Sequence, residues 1–141
     1  TILINGDGAF QLNIQELETI HRLQLPVKIF IWNNQGYASI RGMQRNNFKG
    51  HYVASEIHSG MTLPNISRVA EAYGLSTFQI HNNSEIKEVI DQVLTMEGPT
   101  LCELILSPDE IVAPKVQAKI GKDGNMIPGK LDCMWPFIDN N

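Results

Sequence analysis

The stretch "GDGAFQLNIQELETIHRLQLPVKIFIWNNQGY", residues 6–37, decides how this chain is read. It opens on a glycine loop and closes on a second polar loop. Between them stand one helix and one strand. Asn13 reads as an N-cap, with Glu16 placed to close a capping box. Ile14, Leu17, Ile20 and Leu25 fall on one helical face, and Pro26 ends the helix. "VKIFIW", residues 27–32, is apolar enough for a strand buried on both faces.

The same alternation extends outward. "TILIN", residues 1–5, is a short β-branched run that reads as a buried strand. Residues 35–64 are polar and glycine-bearing, a long connection with a short helix after Tyr37. A helix follows from about Asn65 to Tyr73, with Gly74 as its stop. "STFQI" is the third strand. Ser84 is placed to cap the clearest helix, whose Ile86, Val89, Ile90, Val93 and Leu94 follow the helical period. Gly98 and Pro99 stop it, and "TLCELIL", residues 100–106, is the fourth strand. The tail is turn-rich at "GKDGNMIPGK" and apolar at "MWPFI". Alternating strands and helices predict an α/β three-layer sandwich, a mostly parallel sheet flanked by helices and joined by right-handed crossovers.

The bulk composition agrees. The chain has 141 residues, 43% apolar and 18% charged, the balance of one globular domain. Its formal charge of −4 disfavours a nucleic-acid partner, which wants a basic face. No apolar run reaches the ~20 residues of a membrane span. Cys102 and Cys133 have no metal spacing and fit a reducing, cytoplasmic setting. The chain starts at Thr1 already inside a strand, and is expected to be a piece of something longer.

In a parallel α/β sheet, ligands sit beyond the carboxyl ends of the strands. The glycine loop follows the first strand and "NNQG" follows the second, so both fall on one rim. Gly6 and Gly8 let the backbone come close to a ligand, and exposed amides there suit a phosphate. Asp7 would repel a phosphate unless a cation joins them. Magnesium does this, with one or two carboxylates and substrate phosphates in an octahedral shell. Asn34 could add an amide oxygen and Gly36 a backbone carbonyl.

"GDG" followed by "NN" with this helix and strand between them resembles the diphosphate-binding signature of thiamine-diphosphate enzymes. "LPVKIFIWNNQGYASI", "VAEAYGL" and "EGPTLCELIL" resemble the C-terminal domain of the acetolactate synthase branch, over roughly residues 1–106. The resemblance implies a C-terminal diphosphate-binding domain over 1–141, lacking its first segment. It implies thiamine diphosphate and Mg2+ as cofactors. Asp7 and Asn34 would ligate magnesium through side chains and Gly36 through its carbonyl. Gly6, Gly8 and Ala9 would offer backbone contacts to the diphosphate, with Tyr37 and Ile40 near the cofactor's rings. The implied reaction is decarboxylation of a 2-oxo acid, carboligation, or both. The implied partner is the pyrimidine-binding domain of a neighbouring subunit, in a homodimer or homotetramer. That domain carries the glutamate that activates the cofactor, so no acid–base residue is assigned in this chain. "ASIRGMQRNNF" departs from the acetolactate synthase pattern, where a glycine-methionine pair follows sooner after the asparagines.

Two other functions compete. One is a non-catalytic interaction or structural module. The other is a doubly wound domain for a different phosphate ligand, for which Asn34 would be dispensable. The remaining polar residues read as structural. His21, His51, His58 and His81 lack ligand spacing, and His21 and Arg22 are expected to face solvent. Glu16 and Glu18 suit the first turn of a helix. Arg41, Arg45 and Lys49 read as a solvated loop cluster, and Cys102 as an inert core thiol. "DGNMIPG" lacks the late glutamate of a calcium loop, and Gln11 stands where a dinucleotide fingerprint wants glycine.

Overall fold

The structure is a computed structural model that describes residues 1–111, 113–132 and 134–136. Four parallel strands form the central sheet: β1 (Ile2–Gly6), β2 (Lys28–Asn33), β3 (Ser76–Ile80) and β4 (Thr100–Ile105), in the spatial order β1-β2-β4-β3. The helices are α1 (Asp7–Phe10), α2 (Glu16–Arg22), α3 (Ala38–Asn47), α4 (Ile66–Ala72) and α5 (Ile86–Thr95). The tail carries β5 (Lys115–Val116), β6 (Lys119–Ile120), β7 (Met126–Ile127) and β8 (Met134–Trp135). They pair antiparallel as β5 with β8 and β6 with β7. Cys133 lies outside the described residues, and the "MWPFI" patch is described only as far as residue 136.

Strand side chains alternate faces, and the alternation builds two cores. Ile29, Ile31 and Leu101 point to one face and pack with Leu17, Ile66, Ala70 and Leu75 from the α2 and α4 side. Phe30 and Cys102 point to the other and pack with Ile80 and with Val93 of α5. Helices on both faces make the three-layer α/β sandwich. On α5, Val89, Ile90 and Val93 pack inward, while Ile86 and Leu94 are exposed.

Three local expectations are corrected. The first strand is not buried: Ile2 and Ile4 are 58% and 61% exposed and Leu3 is exposed too. β1 is an edge strand, paired with β2 alone. Asn13 caps nothing. The chain turns into α1 directly after Gly6 and runs through a 3-10 turn, Gln11–Asn13, before α2 starts without a side-chain cap. The cap before α5 is Asn82, not Ser84. Asn82 and Glu85 form a capping box around the 3-10 turn Asn83–Glu85 that leads into the helix. The α4 boundaries agree with the sequence reading: Asn65 Oδ1 accepts the Arg68 N–H at 2.8 Å, and Gly74 takes the left-handed φ of +81°.

Lys28 is buried at the start of β2. Its ammonium donates to the carbonyls of Met96 and Gly98 at 2.6 and 2.7 Å. This satisfies carbonyls just beyond the C-terminal end of α5 and ties that helix to the sheet's centre.

Candidate functional site

Both loops meet at the carboxyl rim, as the strand order requires. β1 and β2 are neighbours, and Gly6 stands opposite Trp32 in their register. Asp7, the first residue after β1, is 1% exposed. Its Oδ1 accepts the Gly8 N–H at 2.6 Å and its Oδ2 accepts the Gly36 N–H at 3.0 Å. Burial pushes the Asp7 carboxyl above its ordinary range. The backbone amides of Gly36, Gly8, Gln35 and Asn34 oppose that rise. The second loop therefore holds the carboxylate of the first through the Gly36 amide.

That contact depends on backbone angles that most residues resist. Gln35 has φ +61° and Gly36 has φ +149°. A Cβ on Gly36 would lie 2.5 Å from the Ser55 carbonyl oxygen. Gly8 is required for a different reason, since a Cβ there would fall 2.3 Å from the Tyr37 ring. Tyr37 thus lies directly over the glycine loop. Ile40 is exposed in the first turn of α3, and Ala9 is exposed on α1.

Asn34 Oδ1 is buried without a hydrogen-bond partner. A buried polar atom left unpaired costs free energy, so this oxygen calls for a donor or a cation. Asp7 has two acceptor bonds and, when ionised, about four lone-pair sites. The Gly36 carbonyl accepts the Ala38 N–H at 3.0 Å and keeps its second lone pair. One carboxylate, one amide oxygen and one carbonyl are hard donors that suit magnesium. Among the described residues there is no group of three His, Cys, Asp or Glu side chains fit to hold a metal. A cation here would complete its shell with oxygens from a ligand or water. The amides of Gly6 and Gly8 donate to Asn5 Oδ1 and Asp7 Oδ1, so in this structure both are engaged locally.

Residues 1–104 match the family described as thiamine pyrophosphate enzyme, C-terminal TPP binding domain. The chain belongs to that family. An acetolactate synthase large subunit from Cyanidium caldarium is 31% identical over 128 residues, covering 91% of this chain and 21% of the relative. That of Pyropia yezoensis is 35% identical over 115 residues, 82% of this chain and 19% of the relative. Among solved structures, the Rhodococcus jostii RHA1 thiamine diphosphate-dependent 4-hydroxybenzoylformate decarboxylase superposes with a TM-score of 0.65 at 27% identity. It covers 78% of this chain and 20% of that one. The chain thus spans about a fifth of the length of these relatives. The resemblance to the acetolactate synthase branch is borne out.

Sequence reasoning missed the thiamine-diphosphate domain's buried arginine. Arg41 on α3 is 6% exposed, not part of a solvated cluster. Its Nη2 donates to the Asn34 carbonyl at 3.1 Å and to the Pro108 carbonyl. Its Nη1 is buried and unpartnered. One guanidinium nitrogen thus ties the second loop, α3 and the segment after β4 into one rim. Arg22 is exposed as expected, but His21 is half-buried. It packs against Gly74, where a Cβ would meet its ring at 2.5 Å, and its Nδ1 is buried. Arg45 keeps the expected surface character, 3.7 Å from Asp109 in an exposed pair.

Proposed function

We propose that this chain is the magnesium-dependent thiamine-diphosphate-binding domain of an acetolactate synthase-like enzyme acting on a 2-oxo acid. The observation that carries the reading is the unpartnered Asn34 oxygen on the same rim as the buried Asp7 carboxylate, a rim tied by the Gly36 N–H. Asp7 and Asn34 would hold magnesium through side chains and Gly36 through its carbonyl. The cation would supply the positive charge that the buried Asp7 lacks and that the diphosphate also needs. Gly6, Gly8 and Ala9 would face the diphosphate, with Tyr37 and Ile40 toward the rings.

Thiamine diphosphate, when bound, supplies the electron sink for decarboxylation of a 2-oxo acid. The residues of this chain bind and orient it. Fixing the diphosphate places the reactive ring, a positional contribution that requires no covalent step from the protein. Decarboxylation, carboligation or both would follow in the intact enzyme. The pyrimidine-binding domain of a neighbouring subunit would complete the site in a homodimer or homotetramer. A reducing compartment suits the chain. The relatives include enzymes described as chloroplastic and one from Escherichia coli, and the cytoplasm is our assignment. Among the described residues no helix is long and apolar enough to cross a membrane.

Calorimetric titration of thiamine diphosphate into the full-length protein, with and without magnesium, tests the reading. Binding that requires magnesium and disappears in Asn34→Ala supports it. Binding indifferent to both overturns it and favours a different phosphate ligand.

A further inference from the structure

Glu103 is a buried acid that the cofactor site does not use. It lies on β4 and is 3% exposed. Three neutral donors converge on it. Asn33 Nδ2 reaches Oε1 at 2.6 Å, while Ser67 Oγ and Gln79 Nε2 reach Oε2 at 2.7 and 2.9 Å. Among the described residues no cationic side chain pairs with it. Burying a carboxylate without a cation is costly. A strand that needed only packing would carry an apolar residue here.

A carboxylate does what an apolar side chain cannot: it imposes direction on its neighbours. When ionised it only accepts, so each amide facing it must present its NH2. With Nδ2 committed to Glu103, the Asn33 Oδ1 is turned toward the loop, where it accepts the Gln35 N–H at 3.0 Å. This side-chain turn holds Gln35 at φ +61°. The next amide, Gly36 N–H, then reaches Asp7 Oδ2. A flipped Asn33 would set an oxygen against the carboxylate and an NH2 against an N–H.

We infer that Glu103 is a positioning residue for the metal-binding loop. By fixing the amide orientation of Asn33, it sets the turn that presents Asn34 and Gly36 beside Asp7. The inference rests on the reading that this loop holds magnesium with thiamine diphosphate.

The test is calorimetric affinity for thiamine diphosphate with magnesium, with thermal melting of the metal-free protein in parallel, on the full-length protein. Glu103→Gln is expected to weaken binding at least about tenfold, the scale of outer-shell substitutions at metal sites, with the melting temperature little changed. Gln79→Met removes another donor from the same carboxylate but leaves Asn33 in place, and binding is expected to stay as in the parent. The double variant Asn33→Asp with Glu103→Gln moves the acceptor-only group across the same hydrogen bond. The carboxylate introduced on β2 would still accept the Gln35 N–H, so binding is expected to recover. Parent-like affinity in Glu103→Gln, or no recovery in the double variant, overturns the inference. If Glu103→Gln does not fold, Asn33→Ala takes its place: weakened binding supports the inference and unchanged binding overturns it. Asp7→Ala separates the two levels. If it too binds normally, the cofactor reading itself has failed. If it is crippled while Glu103→Gln is not, only the positioning role falls.

Discussion

Asp7 and Glu103 are both buried acids near the carboxyl rim of the sheet, 1% and 3% exposed, and they are satisfied in opposite ways. Asp7 takes its hydrogen bonds from backbone amides and keeps free lone pairs, on a rim where the Asn34 amide oxygen has no partner. Glu103 takes its bonds from three side chains that come from β2, α4 and β3. The first arrangement leaves acceptors open, as the proposed cation would require. The second is complete already and holds other groups still. Burial alone therefore does not mark a ligand site; the unfilled coordination around the buried charge does.

The largest effect should come from destroying the completed arrangement. Glu103→Ala strands three donors in a site built to satisfy them. Leaving buried donors without an acceptor costs about 1–3 kcal/mol each, which thermal or urea unfolding would read. A loss under about 1 kcal/mol would mean that the network is loose and the contrast with Asp7 is not real.

Asp7→Ala should show the reverse. Magnesium-dependent binding of thiamine diphosphate should fall by about a hundredfold, the upper range for metal-site losses. The metal-free fold should change by less than about 1 kcal/mol, because removing an unpaired buried charge offsets its lost hydrogen bonds. The pH dependence has a definite sign. Folding raises this carboxyl above 3.8, so it favours the fold only while protonated. The metal-free protein should lose stability as pH climbs from 3.8 through the raised value. Asp7→Ala should remove that component, and an unchanged stability-versus-pH curve would break the comparison.

Arg41→Met asks whether the rim holds without its brace. The Asn34 and Pro108 carbonyls would lose a charged donor, at about 2 kcal/mol. Arg41→Lys should recover little, because the shorter lysine stem ends before the Nη2 position that serves both carbonyls. Full rescue by lysine would show that charge, not geometry, is what the rim needs.

These residues also show how far the sequence could be read. Asp7 was legible because glycines flank it, and Asn34 because a loop follows an obvious strand. The sheet was legible because its strands are apolar and the intervening helices repeat at 3.6 residues. Glu103 was not, because "TLCELIL" reads as a core strand and its donors are scattered along the chain at 33, 67 and 79. Arg41 was not, because its acceptors are backbone carbonyls at 34 and 108, and carbonyls leave no mark on composition. The exposure of β1 was hidden for a related reason. A β-branched run records that a strand is apolar, not which neighbours cover it. The Asn13 cap failed because two short helical turns begin straight after the glycine loop, so the helix start that the capping pattern marks had already passed.

Cys102 gives the finest test, because it neighbours Glu103 in sequence and lies on the opposite face of β4. Its thiol is pushed up from 9.0 to about 11, first by burial and then by the charge of Glu103. A raised thiol stabilises the fold while protonated, so this contribution is full below pH 9.0 and is lost as pH climbs through about 11. The thiolate is the reactive form. In a Cys133→Ser background, Cys102 should therefore resist alkylation in the native protein at about pH 8, below the ordinary thiol range, and react once denatured. Adding Glu103→Gln should move the onset of native alkylation to lower pH, because the neighbouring negative charge is gone. The movement should be small, because burial is the larger cause of the rise. If the onset does not move, burial alone raises the thiol, and the charge of Glu103 does not reach across the strand to it.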